Sequence, residues 1–105
     1  MKKLRDRRRK PTHPGAILRE DVLPALRMSQ RELAGRLGVS RVTITTFLQE
    51  KRDLSVELAA RIARLLGHSP ESWIRMQEAL DLWRLAQDPS LLKGIDPLPP
   101  SRIAA

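Results

Sequence analysis

The chain has 105 residues, with 20 Lys and Arg against 12 Asp and Glu, a formal net charge of +8 and no cysteine. That length holds one small domain with a modest core and excludes an enzyme with a separate substrate domain. The lack of cysteine excludes disulfides, thiolate metal sites and cysteine nucleophiles, and the cationic excess favours an anionic partner, nucleic acid first.

Residues 1–12 form a basic arm in which Lys2, Lys3, Arg5, Arg7, Arg8, Arg9 and Lys10 are interrupted among the charges by Asp6 alone. Such a block is expected to be disordered when free, either as a solvated tail or as an arm that follows phosphates or enters a minor groove. No apolar core of signal-peptide type follows it, no run approaches membrane-spanning length, and the expected location is cytoplasmic with no membrane partner. His13-Pro14-Gly15 ends the arm. Pro14 suits a helix start, and Ala16, Ile17, Leu18, Val22 and Leu23 supply a helical stripe. Pro24 is expected to end this first helix near Leu23, leaving Ala25 to Met28 as a connection or short extra turn with Leu26 turned inward.

Ser29 opens the second helix: its hydroxyl suits an orphan backbone N–H, and Glu32 is placed to reach back and complete a capping box. Leu33, Ala34 and Leu37 share a face, with Ala34 small enough for a close helix crossing. Gly38 stands where a left-handed residue is wanted, and Val39 supplies the apolar contact beyond it. Ser40 caps a third helix whose inward row is Ile44, Phe47 and Leu48. Two short helices sharing one tight turn make a helix-turn-helix, the geometry that sets a recognition helix in the major groove.

After the charged loop Glu50-Lys51-Arg52-Asp53-Leu54, Ser55 caps a fourth helix with Leu58, Ala59, Ile62, Ala63, Leu65 and Leu66 on its apolar face and Gly67 past its end. Ser69-Pro70-Glu71 starts a fifth, running to about Gln87 with a cap, Pro in the first turn and an acid where the helix dipole favours one. Its apolar residues exceed one face, so it covers a small core, makes a dimer seam, or both; the seam residues are Trp73, Leu80, Leu82, Trp83 and Leu85. Residues 88–105, with Pro89, Pro97, Pro99 and Pro100, lack helical periodicity and read as a tail. The domain proper is 13–87, all-α, five helices. His13 reads as an exposed residue before a helix and His68 as a helix-end residue. Neither has ligand spacing, no Gly-rich phosphate loop is present, and the serines sit at helix starts, so no metal, cofactor or catalytic residue is expected.

Five helices with the helix-turn-helix second and third resemble the lambda-repressor-like, XRE-type DNA-binding domain. His13-Pro14-Gly15-x-Ile17-Leu18-Arg19-Glu20, Ser29-Gln30-x-x-Leu33-Ala34, Gly38-Val39-Ser40-Arg41, Ala59-x-Arg61-Ile62-Ala63-x-x-Leu66-Gly67-x-Ser69-Pro70-Glu71-x-Trp73 and Gln77 through Leu82-Trp83 together resemble the HigA family of antitoxins. The resemblance implies a protein that neutralises a HigB-like, mRNA-cleaving toxin of RelE type and represses the shared operon as a homodimer on double-stranded operator DNA. A stand-alone XRE-type repressor without a toxin is the alternative. The chain departs from the family at Gln49-Glu50, where Asn-Gly is usual: Glu lacks glycine's ease in a left-handed turn and carries the wrong charge beside phosphate.

With Ile44, Phe47 and Leu48 inward and about 100° per residue, Val42, Thr46 and Gln49 point most directly outward, with Thr43 and Thr45 on the flanks. Arg41 lies at the helix start that meets base edges and is suited to guanine O6 and N7; Val42 suits a thymine methyl. Ser40 belongs to the same end. By resemblance to phage-type repressors, Gln30, Thr43 and Lys51 or Arg52 touch phosphates. Dimer symmetry then implies a near-palindromic operator with half-sites about 10 bp apart, or one turn further.

Overall fold

The computed structural model describes residues 9–103, and among these it contains helices and turns but no strand. Residues 1–8, most of the basic arm, lie outside the described residues. Where the arm meets the domain, Pro11 is already buried.

The first helix, α1, spans 14–26 in three segments: α-helical Pro14–Ile17, a π-turn Leu18–Val22 and α-helical Leu23–Leu26. Leu23 donates its N–H to the Leu18 carbonyl, five residues back. Proline has no N–H to give, and in a regular helix its ring would strike the carbonyl four residues earlier; the widened turn ahead of Pro24 absorbs it. The helix therefore passes through Pro24, which corrects the expectation that it stops there. It ends instead at Arg27, in the left-handed region at φ 51°, with the Met28 N–H on the Leu23 carbonyl at 3.0 Å. That reversal leaves Leu26 half exposed at 49% rather than inward, and Met28 packs against the core in its place.

The second helix, α2 (Gln30–Leu37), starts at Ser29, whose Oγ accepts the Glu32 N–H at 3.0 Å. The capping box is only half made. Glu32 turns its carboxylate forward to Arg36 Nε at 2.7 Å, because a charged donor one turn on outbids a neutral backbone N–H. Gly38, at φ 69°, closes the helix, and the Val39 N–H reaches the Ala34 carbonyl at 3.1 Å, the six-to-one bond of a Schellman stop. The third helix, α3 (Arg41–Leu48), is capped by Ser40 Oγ on the Thr43 N–H at 3.1 Å. Ser55 caps α4 (Val56–Leu66) in the same manner at 3.0 Å. In α5 (Pro70–Gln87) Ser69 is extended but makes no side-chain cap bond; the Ser72 hydroxyl donates to its carbonyl at 3.2 Å instead. Beyond α5, two 3₁₀ turns, Pro89–Leu92 and Pro100–Arg102, are exposed throughout.

The core is a single cluster in which Leu18, Ile44, Phe47, Leu48, Ala59, Ile62 and Ala63 are almost fully buried. Trp73 and Leu80 of α5 are also closed off, at 3% and 0% exposure. Gln77, between them and 5% exposed, accepts the Leu54 N–H at 2.8 Å and donates to Asp81 at 2.9 Å, which satisfies a loop amide that burial would otherwise strand.

His13 is buried at 2% exposure, which corrects its reading as a solvated residue. Its Nδ1 accepts the Gly15 N–H at 2.9 Å, so the imidazole is the side-chain cap of α1, and its ring lies 5.5 Å from that of Phe47. Gly15 has a separate duty: a Cβ there would stand 2.0 Å from the Phe47 carbonyl oxygen. Gly15→Ala is expected to force α1 off α3 and destabilise the fold by about 1 to 3 kcal/mol, an overpacking cost. A urea midpoint that falls with an unchanged m-value would verify it.

Burial holds the His13 pKa below the ordinary histidine value, against the opposing pull of the Glu50 and Asp53 charges. The fold therefore prefers neutral His13, and an imidazolium also loses the Nδ1 acceptor on which the cap depends. The unfolded chain binds the proton more readily, so this contribution is whole above about pH 6.5 and is lost as pH falls below it. Urea midpoints are expected to rise between about pH 5 and pH 7 in the native chain and to flatten in His13→Asn, which keeps a cap acceptor without titrating.

Candidate nucleic-acid interface

Because Ile44, Phe47 and Leu48 occupy the inner side of α3 at 0%, 0% and 1% exposure, the helical period fixes what faces out. Val42 is 67% exposed, a costly place for an isopropyl group on a solvated helix. Arg41 and Gln49 are exposed as well, while Thr43, Thr45 and Thr46 are partly covered. Gln30, Ser40, Lys51 and Arg52 are all exposed.

Side-chain hydrogen bonds knit several of these into one surface. Thr45 Oγ1 donates to Gln30 Oε1 at 3.4 Å, tying the start of α2 to the middle of α3. Ser40 and Thr43 share a hydroxyl contact at 2.8 Å. Arg52 Nε donates to Thr46 Oγ1 at 3.2 Å, drawing a guanidinium from the following loop back onto the helix. Arg41 thus stands at one end of the outward face, with Lys51 and Arg52 at the other.

Two residues behave differently from the expectation drawn from periodicity. Thr46 points outward less than expected: its hydroxyl donates to the Val42 carbonyl at 2.7 Å, the back-bonding habit of threonine in helices, and so it braces Arg52 rather than projecting freely. Ser40, as expected, spends its oxygen on the cap. Thr45, expected only on the flank, is the link to Gln30.

At the end of α3, Glu50 adopts φ 63°, the left-handed conformation for which glycine is usual. The Glu50 N–H reaches the Phe47 carbonyl at 3.0 Å and the Lys51 N–H the Thr46 carbonyl at 2.9 Å, so the helix stop survives without glycine. Arg19, from α1, supports it: Nη1 donates to the Leu48 carbonyl at 2.6 Å and to the Glu50 carboxylate at 3.1 Å. Arg61 plays the matching part at the end of α2, with Nη1 on the Leu37 carbonyl at 2.7 Å. Neither arginine was legible as a contact, because each partner lies 29 or 24 residues away and local spacing carries no trace of it.

The α5 residues separate into two groups. Trp73 and Leu80 are buried against their own chain and have no surface to offer a second copy, which corrects their place in the seam: with Gln77 they form the inner row at spacings of four and three. Leu82 is 67% exposed, and Trp83 and Leu85 are half-buried. The Trp83 indole nitrogen is buried without a hydrogen-bond partner among the described residues. Near the loop, Arg84 pairs with Asp53 at 2.9 Å and holds its carboxyl below the usual range.

Among the described residues no group of three or more His, Asp and Glu side chains is placed to hold a metal ion, and no helix is long and apolar enough to cross a membrane.

A helix-turn-helix family model matches residues 18–74. Virulence-associated protein I of Dichelobacter nodosus is 38% identical over 86 residues, covering 82% of this chain and 80% of that protein. The antitoxin HigA-1 of Vibrio cholerae is 31% identical over 80 residues, 76% and 75% of the two chains. The antitoxin HigA of Pseudomonas aeruginosa, solved with the higBA promoter, superposes with a TM-score of 0.75 at 32% identity, covering 86% of this chain and all of that one. A buried inner row on α3, a capped turn on each side of it and these likenesses across most of the chain lead to one assignment: the chain belongs to the HigA family of helix-turn-helix proteins.

Proposed function

We propose that the protein is an antitoxin that binds operator DNA as a homodimer, represses its own operon and neutralises a HigB-like, mRNA-cleaving toxin. The observation that carries the DNA part is the outward face of α3, where Arg41, exposed Val42 and Gln49 are presented with Lys51 and Arg52 beyond the helix end. Such a face combines base-edge readers with phosphate neutralisers. Gln30, Ser40, Thr43 and Thr46 position it, and the family's likeness to a protein solved on its promoter supports the same reading. The dimer rests on Leu82, Trp83 and Leu85, the apolar part of α5 that one chain leaves uncovered, because a single short recognition helix gives too small a footprint for tight specific binding. The cationic arm adds sequence-independent affinity through counterion release.

Arg41→Ala is expected to weaken operator binding by about 1 to 3 kcal/mol and to relax preference at one base position in each half-site. Selection from a randomised operator measures both, and an unaltered sequence preference would remove Arg41 from the readers. Footprinting with the native chain is expected to protect two half-sites about 10 bp apart or one helical turn further.

For the toxin, a reading frame for a small basic protein is expected beside this gene, and its product is expected to arrest growth when expressed alone and to lose that effect when this chain is co-expressed. Arrest that persists despite a soluble, folded antitoxin would leave a repressor without a toxin partner.

A further inference from the structure

Glu50 sits at the point where the backbone leaves the recognition helix, with a left-handed φ of 63° and a carboxylate directly before Lys51 and Arg52 in the chain. Two penalties meet there. A non-glycine residue in that conformation stores local strain, and a carboxylate beside two intended phosphate contacts repels the phosphate and competes for the cations. Arg19 answers both. Its guanidinium closes on the Leu48 carbonyl at 2.6 Å and the Glu50 carboxylate at 3.1 Å, and its other nitrogen holds Glu20 at 3.1 Å. Both Arg19 and Glu50 side chains keep 38% of their surface in solvent, so the pair lies at the edge of the interface and not beneath it. The turn that it holds in place carries the Lys51 N–H on the Thr46 carbonyl and Arg52 on the Thr46 hydroxyl.

Resting on the DNA-binding reading above, we infer that Arg19 is a positioning residue for operator binding. It clamps the end of the recognition helix in the shape that presents Lys51 and Arg52 to phosphate, and it neutralises the carboxylate that precedes them. Glu50 and Arg19 then form an interdependent pair: with glycine at 50 there is neither strain to hold nor charge to cancel, and Arg19 loses most of its purpose.

The test uses the full chain, a labelled duplex containing the protein's own promoter, and four proteins: native, Arg19→Ala, Glu50→Gly and the double variant, each shown to be folded by its melting curve. Arg19→Ala is expected to lower affinity for the duplex about tenfold, because it leaves an unpaired carboxylate facing the phosphates. Glu50→Gly is expected to raise affinity a few-fold, and adding Arg19→Ala to it to change affinity by less than about threefold, the non-additivity of a coupled pair. Equal losses in the two backgrounds would make Arg19 a direct phosphate contact and overturn the proposal, as would no loss in either. Amide exchange in the free protein supplies a readout that does not depend on DNA. In Arg19→Ala the Glu50 and Lys51 amides are expected to lose protection while Gly38 and Val39, at the stop of α2, keep theirs. If the native chain ignores the duplex, the DNA-binding reading fails. Unchanged Lys51 protection in Arg19→Ala would by itself overturn the clamp.

Discussion

The backbone of α1 lies so close to the end of α3 at Gly15 that the Phe47 carbonyl leaves no room for a methyl group. Everything the recognition helix presents depends on this approach. The His13 ring fills the space beside it, capping α1 with one nitrogen and resting on the Phe47 ring, so one tripeptide both starts a helix and seats another. Burying Phe47 completely contributes about 1.5 to 3 kcal/mol, and the same contact sets the rotation of α3. A helix held by its inner row at Ile44, Phe47 and Leu48 has no freedom in what it turns outward.

Much of this was legible in the sequence because the signals are local. A serine ahead of each of α2, α3 and α4, and a glycine after α2 and α4, act within four residues of themselves, and the inner rows follow from helical period alone. The misreadings arise where a distant part of the fold overrides the local rule. Pro24 breaks a helix in isolation, but a π-turn absorbs it and the helix gains the turn that ends at Arg27. His13 is polar and precedes a helix, both marks of exposure, but the surface that buries it belongs to α3. For α5 the surplus of apolar residues was visible, whereas their division between core and surface was not. Trp73 and Leu80 face inward through tertiary packing that an irregular stripe does not announce.

The charge balance has a similar lesson. Read as a sum, the excess of arginine is an affinity for phosphate. In the fold, Arg36, Arg61 and Arg84 each pair with a carboxylate, and Arg19 and Arg61 cap the carbonyl ends of α3 and α2, where a cation also complements the helix dipole. These side chains maintain the helix-turn-helix and are not simply available to DNA. Arg41, Lys51 and Arg52 are exposed and stand outside these ion pairs.

One feature of α3 bears on how such a protein diverges. The side chains of Arg41, Val42 and Gln49 are exposed and take no part in the side-chain caps, the core or the Thr45–Gln30 and Thr46–Arg52 contacts. A change at any of them alters the outward face of α3 while leaving the fold's stability nearly untouched, since surface substitutions away from such features stay within about ±0.5 kcal/mol. After gene duplication, two copies are therefore free to diverge at these three positions without an intermediate that fails to fold. Thr46 and Ser40 have no such liberty: each holds its neighbours in place, and a lineage that replaced either would have to rebuild the turn beside it.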